Sequence, residues 1–186
     1  MAVLKRMPPR RRREGVTDYR ARLKLVKSGK PRLVVRRTNR YVIVQLVECK
    51  AGGDRTVLTV TSKALARYGW RAGTKNTPAA YLTGYLAGKL AVAKGYTEAI
   101  ADIGMRTPSK GARVFAAIKG AIDAGLRIPP SEEIFPDEAR IRGEVIAEYV
   151  RSLGDEARER FSASDLELLK DLPSNFEEVL ERIRSG

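Results

Sequence analysis

The chain has 186 residues, 43% of them apolar, and a formal net charge of +14 at pH 7, so it is long enough to bury one good hydrophobic core. It has no histidine and a single cysteine, Cys49, which excludes imidazole catalysis, histidine-dependent nucleophiles, histidine metal sites and an internal disulfide bond. No apolar run approaches the roughly 20 residues of a membrane span, and the start lacks the apolar stretch of a signal peptide, so we expect a cytoplasmic protein.

The charge is sorted along the chain. Residues 1–71 hold twenty Lys or Arg and only four Asp or Glu, residues 72–127 have a net charge of +5, and residues 128–186 have a net charge of −7. A basic N-terminal third is the electrostatic footprint of a polyanionic partner, and nucleic acid is the leading candidate.

Residues 1–16 form a basic segment with four consecutive arginines, Arg10, Arg11, Arg12 and Arg13. Like charges repel and the segment has no apolar periodicity, so taken alone it is predicted to be disordered. A solvated tail and a nucleic-acid-binding arm explain such a run equally well, and the helix that follows favours the arm.

Residues 17–28 are predicted to form that helix, with Thr17 as N-cap and Gly29 just past its end. One face is apolar and carries Tyr19, Leu23 and Val26. A second face is cationic and carries Arg20, Lys24 and Lys27. Such a helix can pack on the protein body while its cations face phosphates. The alternative is a soluble surface helix, which would normally mix acids into the cationic face.

Residues 32–49 contain two β-branched segments separated by a turn at Thr38-Asn39-Arg40, and asparagine tolerates a left-handed turn conformation. After Gly52-Gly53-Asp54, a third strand is predicted from Arg55 to Thr61, which completes an antiparallel meander. Four polar or charged residues lie at the end of the first strand and in the turn: Arg36, Arg37, Asn39 and Arg40.

Trp70 lies among cations, where it can stack on a base or pack in the core, and the core is the commoner place for a single tryptophan. Residues 77–94 are predicted to form a helix with Thr77 as N-cap and Pro78 at the first helical position. Its core face holds Leu82, Leu86 and Leu90. A stripe of small residues, Ala80, Gly84, Ala87 and Ala91, lets backbones approach closely. Gly84 and Gly88 also form a GxxxG pattern, which is expected to pack against the sheet rather than in a membrane.

A short fourth strand is predicted from Glu98 to Ile103, followed by a glycine-rich basic loop, residues 104–111, and a helix through Ala124. A loop of this kind entering a helix is a ready anion site, because free N–H groups and the helix dipole point outward there. It matches neither the phosphate-loop nor the dinucleotide-binding pattern, so an enzymatic nucleotide site is weakly supported. The residues expected to hold a backbone phosphate are Arg106, Lys110 and Arg113.

Beyond Pro129-Pro130, the chain is acidic. Residues 137–153 are predicted to form an amphipathic helix whose apolar face holds Ile141, Val145, Tyr149 and Leu153, and Asn175 is predicted to cap a last helix. We expect this region to pack on the body or to meet a basic partner, and a solvated acidic face is an equally good explanation.

Asp102 lies at the end of the fourth strand, a position that suits a catalytic acid. No second acid stands at a readable spacing from it, and a two-metal nuclease needs several carboxylates. We therefore predict that Asp102 fixes the following loop or pairs with an arginine. The chain is predicted not to be an enzyme and to need no metal and no cofactor.

Two stretches resemble a known family. The first is the strand, turn and strand from Arg32 to Gln45, with its Arg-Thr-Asn-Arg turn. The second comprises Asp102-Ile-Gly104, then Gly111-Ala-Arg113-Val114, then Asp123-Ala-Gly125-Leu126. Over about residues 17–128 the chain is similar to the large-subunit ribosomal protein family that binds 5S rRNA, the eighteenth large-subunit protein in the universal naming. The family often has its glycine directly before the arginine, whereas Ala112 intervenes here.

The resemblance implies an α/β fold. Its compact core, residues 32–128, would be a three-strand meander, helix, strand and helix, a ribosomal motif of the ribonuclease-H-like kind. Residues 1–31 would be a basic N-terminal arm with a short helix. Residues 129–186 would be an acidic helical extension packed on the core, which resembles the longer archaeal and eukaryotic branch. The lack of a still longer tail predicts an archaeal source.

The same resemblance implies a structural constituent of the large ribosomal subunit. The arm and the strand face would grip 5S rRNA and help attach it to the large-subunit rRNA in the central protuberance. The strand-face residues in contact with RNA sugar and phosphate would be Arg36, Arg37, Asn39 and Arg40. Other partners would be neighbouring large-subunit ribosomal proteins, met mainly by residues 129–186. No small-molecule substrate and no membrane partner are expected.

Two other hypotheses stay open. An RNA-processing enzyme on a similar core predicts metal-dependent turnover that is lost when Asp102 is replaced. A general nucleic-acid-compacting protein predicts equal affinity for duplex DNA and folded RNA.

Overall fold

In the part of the chain that the structure describes, there are four strands and a series of mostly short helices. The computed structural model describes residues 7–50, 52–129 and 132–186, so residues 1–6 of the predicted arm and Pro130 of the predicted boundary lie outside the described residues. The strands are β1 (Arg32–Arg37), β2 (Val42–Lys50), β3 (Gly53–Thr61) and β4 (Ile100–Asp102). The helices are α1 (Arg10–Arg13), α2 (Tyr19–Lys27), α3 (Thr77–Ala93), α4 (Arg113–Asp123), α5 (Glu138–Arg142), α6 (Glu144–Ser152), α7 (Ala157–Arg160), α8 (Ala163–Lys170) and α9 (Leu172–Ser185). Short 3-10 helices cover Ser62–Tyr68, Glu132–Ile134 and Gly154–Glu156.

The four strands form one mixed sheet in the order β3-β2-β1-β4. β1, β2 and β3 are antiparallel neighbours, and β4 lies parallel to β1, with Ile100 beside Arg32 and Asp102 beside Val34. The predicted α/β class, the antiparallel meander and the fourth strand are confirmed, although β4 is shorter than the predicted 98–103. The turn after β1 contains no positive φ, so Asn39 does not adopt the left-handed conformation that asparagine tolerates.

Helices α3 and α4 cover one face of the sheet. Leu33 and Val35 of β1 and Val44 of β2 are fully buried in one core with residues of both helices. Because side chains alternate across a strand, Arg32 and Arg36 of β1 face the opposite side. This opposite side, the outer face of the sheet, is therefore where β1 presents charge.

Gly84 and Gly88 of α3 lie against α4, so the prediction that these two glycines pack on the sheet is wrong. A Cβ added at Gly84 would meet the backbone of Ala117, and one at Gly88 would lie 2.7 Å from the Ala121 carbonyl oxygen. Only glycine lets the two backbones approach this closely. The consequence is that α4 is held at a fixed distance from α3, which places the start of α4 beside the end of β1.

Two details of α3 differ from the prediction. The N-cap is Asn76 rather than Thr77, since the Asn76 side chain accepts a hydrogen bond from Ala79 N–H at 2.9 Å. Leu82 and Leu86 are buried as predicted, but Leu90 is 41% exposed. Leucines at every fourth position therefore overestimate the length of the face that α3 buries.

The predicted helix over residues 137–153 is broken at Gly143. The backbone of Gly143 has φ +86°, a left-handed conformation that ends α5 and starts α6 in a new direction. Ile141 stays buried, but Val145 and Tyr149 are 46% and 49% exposed, whereas Val150 is buried. The predicted apolar face is therefore wrong at Val145 and Tyr149, whereas Leu153 is partly buried and packs against the cluster that contains Val150.

Helix α9 packs on the core through Leu172, Phe176, Val179 and Ile183. Asn175 lies inside this helix, so its prediction as a cap is wrong. Its side chain instead reaches the core loop, where Nδ2 donates to the Gly69 carbonyl oxygen (3.1 Å) and Oδ1 accepts from Arg71 N–H (3.4 Å). Trp70, which lies between Gly69 and Arg71 in that loop, is only 5% exposed, which confirms its prediction as a core residue.

The division into arm, core and extension stays a prediction.

Candidate nucleic-acid interface

The four consecutive arginines form one exposed helical turn, α1, with no buried residue. Arg10 Nε donates to Glu14 Oε1 at 2.7 Å, and Arg11 Nε donates to Thr17 Oγ1 at 2.9 Å. The turn differs from the disorder predicted for this segment. A single helical turn without packing is marginally stable in water. The four arginine side chains are therefore exposed to solvent and not fixed by packing against the protein body.

Helix α2 begins one residue later than predicted, because Asp18 and not Thr17 is its N-cap. Asp18 Oδ1 accepts hydrogen bonds from Arg20 N–H (2.8 Å) and Ala21 N–H (3.1 Å). The bonds from Ala21 and Arg20 favour the charged carboxylate and lower the pKa of Asp18. Gly29 follows the helix with φ +69°, as predicted.

The faces of α2 are partly as predicted. The cationic residues Arg20, Lys24 and Lys27 are all exposed. Leu23 is 57% exposed, so the prediction that it faces the protein body is wrong, and no residue of the helix is fully buried. The part of α2 that approaches the body comprises the half-buried Tyr19, Arg22, Leu25 and Val26.

Five charged residues form a continuous series across the outer face of the sheet, which we call the charge ladder. Its order is Arg22, Asp54, Arg32, Asp102 and Arg36. Asp54 Oδ2 accepts from Arg22 Nη2 (2.9 Å) and from Arg32 Nη2 (2.6 Å). Asp102 Oδ2 accepts from Arg32 Nη1 (3.0 Å), and its Oδ1 accepts from Arg36 Nη2 (2.9 Å). The ladder joins α2, β3, β1 and β4.

Asp102 is the buried centre of one half of the ladder. Burial tends to raise its pKa, but the hydrogen bond and charge of Arg36, the Gly104 N–H and the charge of Arg32 outweigh burial and hold the pKa below its ordinary value. Gly104 N–H donates to Asp102 Oδ1 at 2.9 Å. The prediction that Asp102 fixes the following loop and pairs with an arginine is confirmed.

Of the ladder residues, sequence reasoning selected Arg36 as a contact residue and gave Asp102 a structural role, but it assigned no role to Arg22, Arg32 or Asp54. The alternation of Arg32, Val34 and Arg36 is a signal that both arginines face the same side of β1. Their acidic partners are separated from Arg32 by 22 and 70 residues, so no local pattern identifies them.

The predicted contact residues Arg36 and Arg37 point to opposite faces of the sheet. Arg36 faces outward and contacts Asp102, whereas Arg37 faces the start of α4. Asn39 and Arg40 are exposed in the turn between β1 and β2. The turn is held by Thr38 Oγ1, which accepts from Tyr41 N–H (2.8 Å), and by Thr74 Oγ1, which donates to the Arg40 carbonyl oxygen (2.7 Å).

A cleft of about 360 Å³ opens at the start of α4, and its charged lining consists of Arg37, Arg106 and Arg113. No carboxylate lines it among the described residues. Arg106 Nη2 donates to the Arg37 carbonyl oxygen (3.3 Å), and Arg113 Nη1 donates to the Lys75 carbonyl oxygen (2.8 Å). The N-cap, Ala112, has no side-chain acceptor for the helix N–H groups. Of the predicted loop cations, Lys110 is exposed but does not line the cleft.

The cations of this cleft repel one another. Burial and the nearby charge of Arg37 lower the pKa of Arg113. An anion placed among the three guanidinium groups would relieve that repulsion and would meet the positive end of the α4 dipole. The structure therefore brings Arg37, Arg106 and Arg113 together in one cleft, an arrangement that would suit an anion, next to the exposed turn that carries Arg40.

Two further features bear on other kinds of site. Among the helices within residues 7–50, 52–129 and 132–186, none combines the length and apolar character of a membrane span. Nowhere in the described part of the chain do three or more His, Cys, Asp or Glu side chains group as a metal site requires.

Comparison with known proteins identifies relatives over almost the whole chain. A family model described as "Ribosomal large subunit proteins 60S L5, and 50S L18" matches residues 5–98 and 91–131. "Large ribosomal subunit protein uL18" of Methanothermobacter thermautotrophicus is 54% identical over 177 residues, which cover 94% of this chain and 92% of the relative. The protein of the same name from Korarchaeum cryptofilum is 53% identical over 178 residues, covering 94% and 91% of the two chains.

A third relative, from Methanobrevibacter smithii, carries the same name and is 50% identical over 181 residues, which cover 96% of this chain and 94% of that one. All three relatives come from archaea, in agreement with the predicted archaeal source. The resemblance found in the strand, turn and loop motifs is confirmed by identity that extends through the extension. The chain belongs to the family of ribosomal large-subunit proteins that contains 60S L5 and 50S L18.

Proposed function

We propose that this large-subunit ribosomal protein binds 5S rRNA and helps attach it to the large-subunit rRNA in the central protuberance. The relatives are ribosomal proteins rather than enzymes, so the chain is a structural protein that acts at the ribosome in the cytoplasm. The observation that carries the proposal is the arginine-lined cleft at the start of α4, because it combines three cations with no carboxylate among the described residues.

The proposed mechanism is neutralisation of RNA phosphates at three places. The cleft would hold one backbone phosphate among Arg37, Arg106 and Arg113. The turn after β1 would add Asn39 and Arg40, and Lys110 would add a cation from the neighbouring loop. Each neutralised phosphate releases counterions, which contributes to affinity and makes binding salt-dependent.

The outer face and the arm would complete the surface. Arg36 presents a half-exposed guanidinium at the end of the ladder, α2 presents Arg20, Lys24 and Lys27, and α1 presents Arg10, Arg11, Arg12 and Arg13. Folded RNA offers its shape, its loops and its 2′-hydroxyl groups rather than a readable major groove, which suits cations spread over several elements.

The acidic extension would serve a different partner. Residues 128–186 have a net charge of −7, which repels phosphates and attracts basic proteins. We propose that this region contacts neighbouring large-subunit ribosomal proteins while the basic elements contact RNA.

The test is binding of the full chain to homologous 5S rRNA over a salt series, with tRNA and duplex DNA as competitors. We expect tight binding that survives both competitors and weakens sharply when residues 1–28 are removed. Arg37→Gln and Arg106→Gln should each weaken binding and reduce the steepness of the salt dependence by about one ion. Arg160→Gln is the matched control, since it removes one positive charge from the acidic extension. Equal affinity for all three nucleic acids would leave only a general polyanion binder.

A further inference from the structure

We propose that Asp54, an acidic residue, is a positioning residue for RNA binding, because it holds α2 in the orientation that turns the cationic face of this helix outward. The inference rests on the proposed function, since it assigns Asp54 a role in RNA binding that acts through Arg22.

Packing provides little hold on α2. No residue of the helix is fully buried, and its central leucine, Leu23, is 57% exposed. Of the hydrogen bonds and ion pairs among the described residues, a single one joins a side chain of α2 to the sheet, namely Arg22 Nη2 to Asp54 Oδ2 at 2.9 Å. The orientation of α2 therefore depends on the Arg22–Asp54 pair more than the orientation of a well-packed helix depends on any single ion pair.

Asp54 is itself fixed from the other side. Its Oδ2 also accepts from Arg32 Nη2 at 2.6 Å, and the Arg32 side chain is only 5% exposed. Arg32 is held in turn by Asp102 at 3.0 Å. The Nε of Arg32 is buried and has no hydrogen-bond partner among the described residues. The carboxylates of Asp54 and Asp102 therefore compensate the buried charge of the Arg32 guanidinium. The acceptor that Arg22 reaches is thus immobilised by the body of the protein.

Helix geometry determines which way the cationic face of α2 points when Arg22 is bound to the sheet. With 3.6 residues per turn, successive side chains are about 100° apart. Counted from Arg22, the side chains of Arg20, Lys24 and Lys27 therefore lie roughly 140–200° around the axis. Arg22 is opposite the cationic face, so a helix pinned to the sheet through Arg22 must present the three cations to solvent.

The sign of the effect separates positioning from simple charge. Removing Asp54 raises the net charge of the protein, so electrostatics alone predicts tighter binding to every polyanion. Positioning predicts the reverse for a folded RNA that needs the three cations in one place, and no loss for a uniform duplex that accepts them in many orientations.

The experiment compares wild type, Asp54→Asn and Arg22→Gln, all as full chains, for affinity to 5S rRNA and to duplex DNA at one salt concentration. We expect Asp54→Asn to lose roughly tenfold in 5S rRNA affinity, about 1.4 kcal/mol, with duplex affinity unchanged or higher. Arg22→Gln should lose a similar factor, more than Arg160→Gln, which removes the same charge elsewhere. Combining the two changes should add little to either alone, because they break one pair.

Arg22→Gln also guards against misfolding, since it leaves the Asp54–Arg32 pair intact. A thermal melt of each variant reports whether the fold is retained. The inference is overturned if Asp54→Asn binds 5S rRNA as tightly as wild type, or if Arg22→Gln loses no more than Arg160→Gln. A wild-type chain that fails to prefer 5S rRNA over the duplex removes the proposed function, and this inference falls with it.

Discussion

Replacing Asp102 with Asn should markedly destabilise the RNA-free protein. The substitution keeps the shape of the side chain and one acceptor for Gly104 N–H, but removes the charge that faces Arg32 at 3.0 Å and Arg36 at 2.9 Å. Both Asp102 and Arg32 are buried, with side-chain exposures of 9% and 5%. Removing one partner of such a pair leaves an under-compensated buried charge.

The expected loss is about 3 kcal/mol, the lower end of the range for breaking a buried ion pair. The lower end applies because Arg32 keeps Asp54 as a partner and Arg36 is 40% exposed, where water screens its charge. For a chain of this size, a loss of that order lowers the melting temperature by roughly 6–12 °C.

Urea unfolding at pH 7, followed by far-ultraviolet circular dichroism, measures this loss. Asp137→Asn is the matched control, because Asp137 is exposed, makes no side-chain cap bond and undergoes the same chemical change. It should stay within about 0.5 kcal/mol of wild type. If Asp102→Asn also stayed within about 1 kcal/mol, the reasoning that the ladder stabilises the fold through a compensated buried charge would be refuted.

Three further predictions concern the same fold. Gly84→Ala should cost about 1–3 kcal/mol in urea unfolding, because its Cβ would meet the Ala117 backbone, whereas Gly52→Ala meets nothing within 4 Å and should be nearly neutral. The wild-type free energy of unfolding should fall as the pH drops below 3.8, the ordinary pKa of an aspartate, because the lowered pKa of Asp102 in the folded state means that the unfolded state binds more protons there. Asp102→Asn should lose less stability over the same pH range, and parallel curves of stability against pH for the two proteins would contradict this. Asn175→Ala should cost about 1–3 kcal/mol and speed hydrogen exchange in α9, and unchanged exchange there would show that its bonds to the core loop do not hold the helix.

Local sequence was sufficient wherever neighbouring residues decide the structure. The β-branched segments on either side of Thr38-Asn39-Arg40 predicted β1, β2 and their turn because strand propensity and turn chemistry are properties of a few adjacent residues. The cationic face of α2 follows in the same way from the spacing of Arg20, Lys24 and Lys27. Helix caps were predicted to within one residue at α2 and α3, where two adjacent polar residues compete for the same N–H groups.

Packing errors arose where a distant element decides which face is buried. Periodicity predicted one apolar face over residues 137–153, but Gly143 lies against Leu172 and Pro78, and its left-handed backbone redirects the chain. The glycine stripe of α3 was read correctly as a close-approach surface, yet its partner is α4. The residue pattern along one helix indicates that a face carries small or apolar residues, but it does not identify the element that covers this face.

By itself, then, the sequence determined that this protein is basic at its N-terminal end, carries an α/β core with a three-stranded meander, and resembles the ribosomal family to which it belongs. Tertiary structure alone decided the charge ladder and the arginine-lined cleft. Arg32 and Asp102 are 70 positions apart, and Arg37 meets Arg113 only because β1 and the start of α4 are brought to the same end of the sheet. Such contacts depend on how elements are placed in space, and neither composition nor periodicity specifies that placement.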